Sequence, residues 1–187
     1  MKTKKTLRSF CFLLRVKLRR AAFAKSPVSI VEPEYFIPLT DAEAVALLVE
    51  SGKYVEEVAK VIVGKYRKLA IEHKVPVTTP ICYRVRVGYT LKTHAPKSGP
   101  CRKDFNYLQD WRFEDTPTSD SLVFWVPRIL RDSTSKTKSE QLNLLAGLHT
   151  ELELPAHHMS GFGRAGLVAG LILAHFKATG ERVPLNQ

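Results

Sequence analysis

The sequence predicts an α+β fold: a three-stranded antiparallel meander with N-terminal and C-terminal helices packed on it, in a single domain that follows a basic arm. Three observations lead there. A capping box, Thr40-Asp41-Ala42-Glu43, opens a helical region that Pro76 closes. A period-two run from Ile81 to Leu91 reads as a half-buried strand. An apolar run, Ala165–Ala174, leads to a stop at Gly180 and reads as a buried helix.

The arm comes first. Lys2, Lys4, Lys5, Arg8, Arg15, Lys17, Arg19, Arg20 and Lys25 all precede the first acid, Glu32. Removing these nine from the 29 Lys and Arg leaves 20 bases against 18 acids, so residues 32–187 carry a formal charge of only +2. The high isoelectric point therefore describes residues 1–25, and residues 26–187 form the expected domain. Read as a helix, Leu7, Phe10, Cys11, Leu14, Leu18 and Ala22 form a stripe opposite Lys5, Ser9, Arg15, Arg19 and Arg20. Such a segment suits an anionic membrane surface, nucleic acid, an acidic protein partner or, in a eukaryote, organellar targeting. A solvated tail, or a helix resting on the body, fits the same pattern. Phe10–Leu14 is too short for the apolar core of a secretory signal.

Next, Ser26–Pro38 reads as an extended connector or edge strand, broken by Pro27, Pro33 and Pro38. A helix through Ala44–Val49 is interrupted at Ser51-Gly52. The second helix is expected to bury Val55, Val58, Ala59, Val61, Ile62, Tyr66, Leu69 and Ala70 and to expose Glu56, Lys60, Lys65 and Lys68. In the strand that follows, Tyr83, Val85 and Val87 alternate with Arg84, Arg86 and Gly88. Lys92–Lys103 reads as a loop. Phe105–Phe113 gives a second strand, and Leu122–Val126 a third, fully buried one. Ser133–Lys138 reads as linker, Ser139–His149 as a helix, and Glu151–Leu154 as a short strand or connector. The last helix starts at Met159 or Ser160, and with the preceding one it is expected to cover one sheet face.

Composition sets the outer bounds. A chain of 187 residues with 44% apolar content suits one soluble domain with a sizeable core. No run reaches the roughly 18 apolar residues of a membrane-spanning helix. Three widely spaced cysteines, Cys11, Cys82 and Cys101, fit a reducing, cytoplasmic compartment and exclude a four-sulfur zinc site.

The sharpest motif is His157-His158-Met159-Ser160-Gly161-Phe162-Gly163-Arg164-Ala165-Gly166. It resembles the signature loop of the cysteine-dependent phosphatases, in which His-Cys, five residues, Arg, Ser or Thr, and Gly join a strand to a helix. His157, Gly161, Arg164 and Gly166 match. His158 stands where the family's nucleophilic Cys belongs, and Ala165 replaces the Ser or Thr. What the resemblance implies is an anion cradle without thiolate chemistry, formed by His158, Ser160, Gly161, Gly163 and Arg164. The plain alternative is packing, because Gly166, Gly170, Ala174 and Ala178 recur every fourth residue and leave a smooth face for another helix or chain. The block from Leu167 to Pro184 also resembles the C-terminal helix of small uncharacterised bacterial proteins, which implies no activity.

Other constellations are weaker. His149, His157, His158 and His175 cluster in sequence with Glu151 and Glu153 but lack zinc-ligand spacing, so no metal is expected. Arg84 and Arg86 beside Tyr107 and Trp111 resemble a single-strand binding face. Strand alternation instead sends the aromatics to the core and leaves the arginines to pair with Asp110 on an outer face. No catalytic set and no cofactor motif is expected. The reading is a non-enzymatic binding or adaptor domain whose basic arm (Lys5, Arg8, Arg15, Lys17, Arg19, Arg20) contacts an acidic surface. The alternatives are a phosphate-binding or degenerate phosphatase-like protein, and a structural subunit joined through the Gly166/Gly170 face.

Overall fold

The computed structural model describes residues 12–17, 34–98, 115–128, 136–154, 159–162 and 164–183. Within them the order is β1 (Phe12–Lys17), β2 (Phe36–Leu39), α1 (Asp41–Glu50), α2 (Glu56–Glu72), β3 (Cys82–Val85), α3 (Leu91–Ser98), β4 (Ser121–Trp125), α4 (Lys138–Glu151), β5 (Met159–Phe162) and α5 (Ala165–Thr179). The α+β class holds, with an antiparallel sheet and helices packed on it. Five described strands take part, in the order β2-β3-β4-β1-β5, and every neighbouring pair is antiparallel. The strand expected at Phe105–Phe113 lies outside the described residues, and β3 pairs directly with β4.

The largest departure is at the N-terminus. The amphipathic helix expected over residues 7–22 gives way, at 12–17, to an inner strand lying between β4 and β5. Leu14 stands opposite Phe124 on one side and Ser160 on the other, and Arg15 opposite Val123 and Met159. An inner strand pairs its backbone along both edges, which an exposed arm cannot match with helix propensity alone. Residues 12–17 therefore belong to the sheet and not to a separate arm.

Helices cover both faces of this sheet. On one face Leu122, Phe124, Val126 and Cys82 pack with Ala44 and Leu48 of α1, Ala59, Ile62, Val63, Tyr66 and Leu69 of α2, and Leu145 of α4. The Tyr66 ring stacks on Phe124 at 4.6 Å. On the other face Tyr83, Val85, Val123, Trp125 and Phe36 pack with Leu171 and Ala174 of α5, and α3 lies against α5. The C-terminal helices α4 and α5 thus sit on opposite faces, where sequence reading expects one. A sheet sandwiched this way buries its strands on both sides, so β4 is buried throughout and Cys82 is as enclosed as Tyr83.

Local chemistry explains the helix ends. Thr40 accepts from the Glu43 N–H at 3.2 Å while the Glu43 carboxylate accepts from the Thr40 N–H at 2.8 Å. Thr137 and Glu140 repeat the device at α4, which begins at Lys138, inside the expected linker. The Asp41 carboxylate receives Arg67 Nε at 3.0 Å and Nη2 at 2.6 Å, tying α1 to α2, and Arg67 Nη1 donates to the Thr79 carbonyl at 2.9 Å. Gly180 ends α5 at φ 72°, a left-handed cap that glycine takes without strain. Pro38 sits in β2, at the edge of the described sheet, where a missing N–H is tolerated.

Candidate interaction surface

The expected anion loop has a different shape. Met159–Phe162 is strand β5, paired with β1, and α5 begins at Ala165 instead of at Met159 or Ser160. Ser160 stands opposite Leu14 and Gly161 opposite Leu13. An extended strand sends successive N–H groups to opposite sides, so the amides of 159–162 do not converge on one anion. Arg164 is the exposed N-cap residue of α5. His158 and Gly163 lie outside the described residues.

The small-residue face of α5 is also accounted for. The Phe36 ring lies against Gly170, and the atom nearest a Cβ added at Gly166 would be the Leu91 nitrogen at 4.0 Å. The chain thus fills this face itself at Gly170 and Ala174, while Gly166 is half-buried and Ala178 exposed.

Of the polyanion-contact residues, Arg15 and Lys17 fall in β1, while Lys5, Arg8, Arg19 and Arg20 lie outside the described residues. Arg84 is half-buried, with Nε 3.8 Å from Asp120 Oδ1. Asp110, the partner expected for it, lies outside the described residues. Among the described residues no three His, Cys, Asp or Glu side chains gather as a metal site, and no helix is long and apolar enough to cross a membrane.

Several protonatable groups are sealed in the core. Burial pushes the Cys82 thiol and the Tyr66 and Tyr83 hydroxyls well above their ordinary ranges, so all three stay protonated at neutral pH. A thiol in that state is a poor nucleophile.

What the fold leaves open is one side of α2. The helix carries two apolar stripes. Ala59, Ile62, Val63, Tyr66, Leu69 and Ala70 face the sheet. Val55, Val58 and Val61, expected in the core, are instead 64%, 41% and 54% exposed. Val58 and Val61, three apart, lie along one ridge, and Val55 is the N-cap residue just before the helix. This ridge borders a groove of about 220 Å3 lined by Glu57, Val58, Val61, Ile62, Lys65 and Glu153.

The far wall of the groove is fixed by Lys65. Its Nζ bonds the Glu153 carboxylate at 3.1 Å and the Glu153 carbonyl at 3.3 Å. Glu153 adopts φ 46°, the left-handed region, in the turn after α4. Near the start of α2 the Glu56 and Lys60 side chains meet at 2.6 Å, lowering the carboxylate pKa and raising that of the amine. That pair is solvated and adds little stability. The groove thus combines an apolar ridge with a fixed polar wall, and Glu57 also lines it.

No family model, curated protein or solved structure matches the chain. Sequence reading missed the outer ridge because it assigned Val55, Val58 and Val61 to the core. The available signal was width: apolar residues at 55, 58, 59, 61, 62, 63 and 66 span more of a helix than one packed face needs.

Proposed function

We propose that the chain is a non-enzymatic binding or adaptor domain whose contact surface is the outer ridge of α2. The observation that carries this reading is the exposure of Val55, Val58 and Val61 in a helix whose other stripe is already buried. A neighbouring set of large apolar side chains beside a groove is what partner-binding surfaces present. The occupant that suits it is an amphipathic helix of a protein partner. Its apolar face lies on the valine ridge, and basic flanks meet Glu57 and Glu153. Covering what is still exposed of each valine, roughly half the side chain, contributes about 1 kcal/mol before the costs of association, so the three supply a modest apolar anchor for a helix.

The test is a Val58→Asp/Val61→Asp double variant. Both positions are exposed, so its melting midpoint should stay near that of the parent. Partner binding should fall at least tenfold. Undiminished binding by the folded variant would remove the surface from consideration.

A second reading keeps the charge asymmetry in view. Nine bases precede Glu32, and two of them, Arg15 and Lys17, lie in β1. Lys5, Arg8, Arg19 and Arg20 then serve as contacts to an acidic surface. This is tested by Arg19→Gln/Arg20→Gln rather than by deletion, because deletion removes a strand. Loss of binding that varies with salt supports it, and salt-independent binding counts against it. The buried free thiol of Cys82 supports a reducing, cytoplasmic setting.

A further inference from the structure

Among the described residues, three polar atoms on the α5 face of the sheet are enclosed without a hydrogen-bond partner: Tyr83 Oη, Trp125 Nε1 and His175 Nδ1. Their residues are 0%, 0% and 3% exposed. They are neighbours, with ring centroids 6.1 Å apart for Tyr83 and Trp125 and 5.6 Å apart for Trp125 and His175. One comes from β3, one from β4 and one from α5, so the three rings make a seam across the sheet–helix interface. Val123, Leu171, Ala174 and Val183 belong to the same apolar core. Buried polar atoms in folded proteins nearly always find a partner, and leaving three unpaired in one place is costly.

The position of the protons follows from Thr179. Its hydroxyl donates to the His175 carbonyl at 2.8 Å, which uses its single proton. The same oxygen accepts the Glu181 N–H at 3.1 Å. Toward His175 Nε2, at 3.5 Å, Thr179 Oγ1 is therefore an acceptor, which puts the imidazole proton on Nε2. Nδ1 is left with a lone pair. The seam then offers one donor at Trp125, one acceptor at His175 and a hydroxyl at Tyr83 that does either. A hydrocarbon satisfies none of them. A fully deprotonated anion has no proton for Nδ1, and a metal ion finds no ligand in an indole N–H.

We propose that this seam is a binding site for a small hydroxylic guest that accepts from Trp125 Nε1–H, donates to His175 Nδ1 and shares a hydrogen bond with Tyr83 Oη. Water is the smallest guest of this chemistry and a short-chain alcohol the next. Three polar partners is the usual complement of an internal water.

The test uses the full chain. The Trp125 indole N–H resonance is assigned by its loss in Trp125→Phe. Water-selective rotating-frame Overhauser spectra of the wild type should then give a cross-peak from that N–H to a long-lived water. A cross-peak to carbon-bound guest protons, with the matching mass in a native mass spectrum, assigns the guest as an alcohol instead. Neither cross-peak overturns the proposal. Tyr83→Phe, His175→Phe and the double variant supply an independent arm. A shared guest makes the double variant's shift in denaturation midpoint smaller than the two single shifts together, and shifts that simply add overturn a common site.

Discussion

Gly170→Ala sets helix propensity directly against packing. In the interior of an open helix, alanine is favoured over glycine by about 1 kcal/mol. Gly170 is buried in α5, and a Cβ there would fall on the Phe36 ring, 2.8 Å from Cε1 and closer still to Cζ and Cε2. The ring has little room to retreat: Phe36 is buried in β2 and meets Tyr89 edge to face at 4.9 Å. Forcing an extra methyl into such a core costs about 1–3 kcal/mol, and a clash with three ring carbons belongs at the upper end. The net expectation is a loss of about 1–2 kcal/mol, or a midpoint lower by roughly 2–8 °C for a domain of this size. Thermal and urea melts followed by circular dichroism measure it. Gly64→Ala is the matched control, since a Cβ there has nothing within 4 Å, and it should gain up to about 1 kcal/mol. Phe36→Leu should recover part of the Gly170→Ala loss. A Gly170→Ala variant that melts higher, as the control does, would refute the packing assigned to this face.

Three further perturbations test other parts of the structure. Leu14→Pro removes a backbone donor from an inner strand and should cost about 3 kcal/mol or more, while an unchanged cooperative melt would return residues 12–17 to an appendage. Arg67→Ala removes the bonds to Asp41 and to the Thr79 carbonyl and should cost about 1–3 kcal/mol by urea titration, with Asp41→Asn costing less; equal melts would show the pair to be idle. Burial, aided by Arg128 and opposed by Glu181, holds the His175 imidazole below its ordinary 6.5. Between the folded and unfolded values the unfolded chain binds more protons, so this contribution is complete above pH 6.5 and declines as pH falls toward the folded value. A melting series should show that decline in the wild type and a shallower one in His175→Phe, and identical slopes would contradict it.

The parts of the fold legible in the sequence are those written in contiguous residues. The Thr40–Glu43 box, the continuous apolar β4 and the glycine stop of α5 all carry their signal within a few positions. What escaped depends on distant residues. The first N–H groups of α3 are capped by the Asp115 carboxylate, at 2.8 Å from both Leu91 and Lys92 nitrogens, so nothing within Lys92–Lys103 announces a helix. Strand β1 alternates only in part, with Phe12, Leu14 and Val16 interleaved by Leu13, Arg15 and Lys17. The helical spacing of Leu7, Phe10, Cys11 and Leu14 competes with that pattern, and only the ladders to β4 and β5 decide between them. The 157–166 motif meets a related limit: residue identities at matching spacing do not fix whether the backbone curls or extends, and 159–162 is extended. The α2 ridge shows the limit most clearly, since a valine reads as core until the number of faces available to bury it is known.

The most direct measurement is photo-crosslinking from α2. A benzophenone side chain placed singly at Val58 or Val61 should join the chain to one partner polypeptide, and Val58→Asp should abolish the link made from position 61. The same group at Val87, 68% exposed in a turn after β3, should give none. Equal labelling from Val87, or no polypeptide joined from α2, would mean that the exposed valines are bare surface and that binding lies elsewhere.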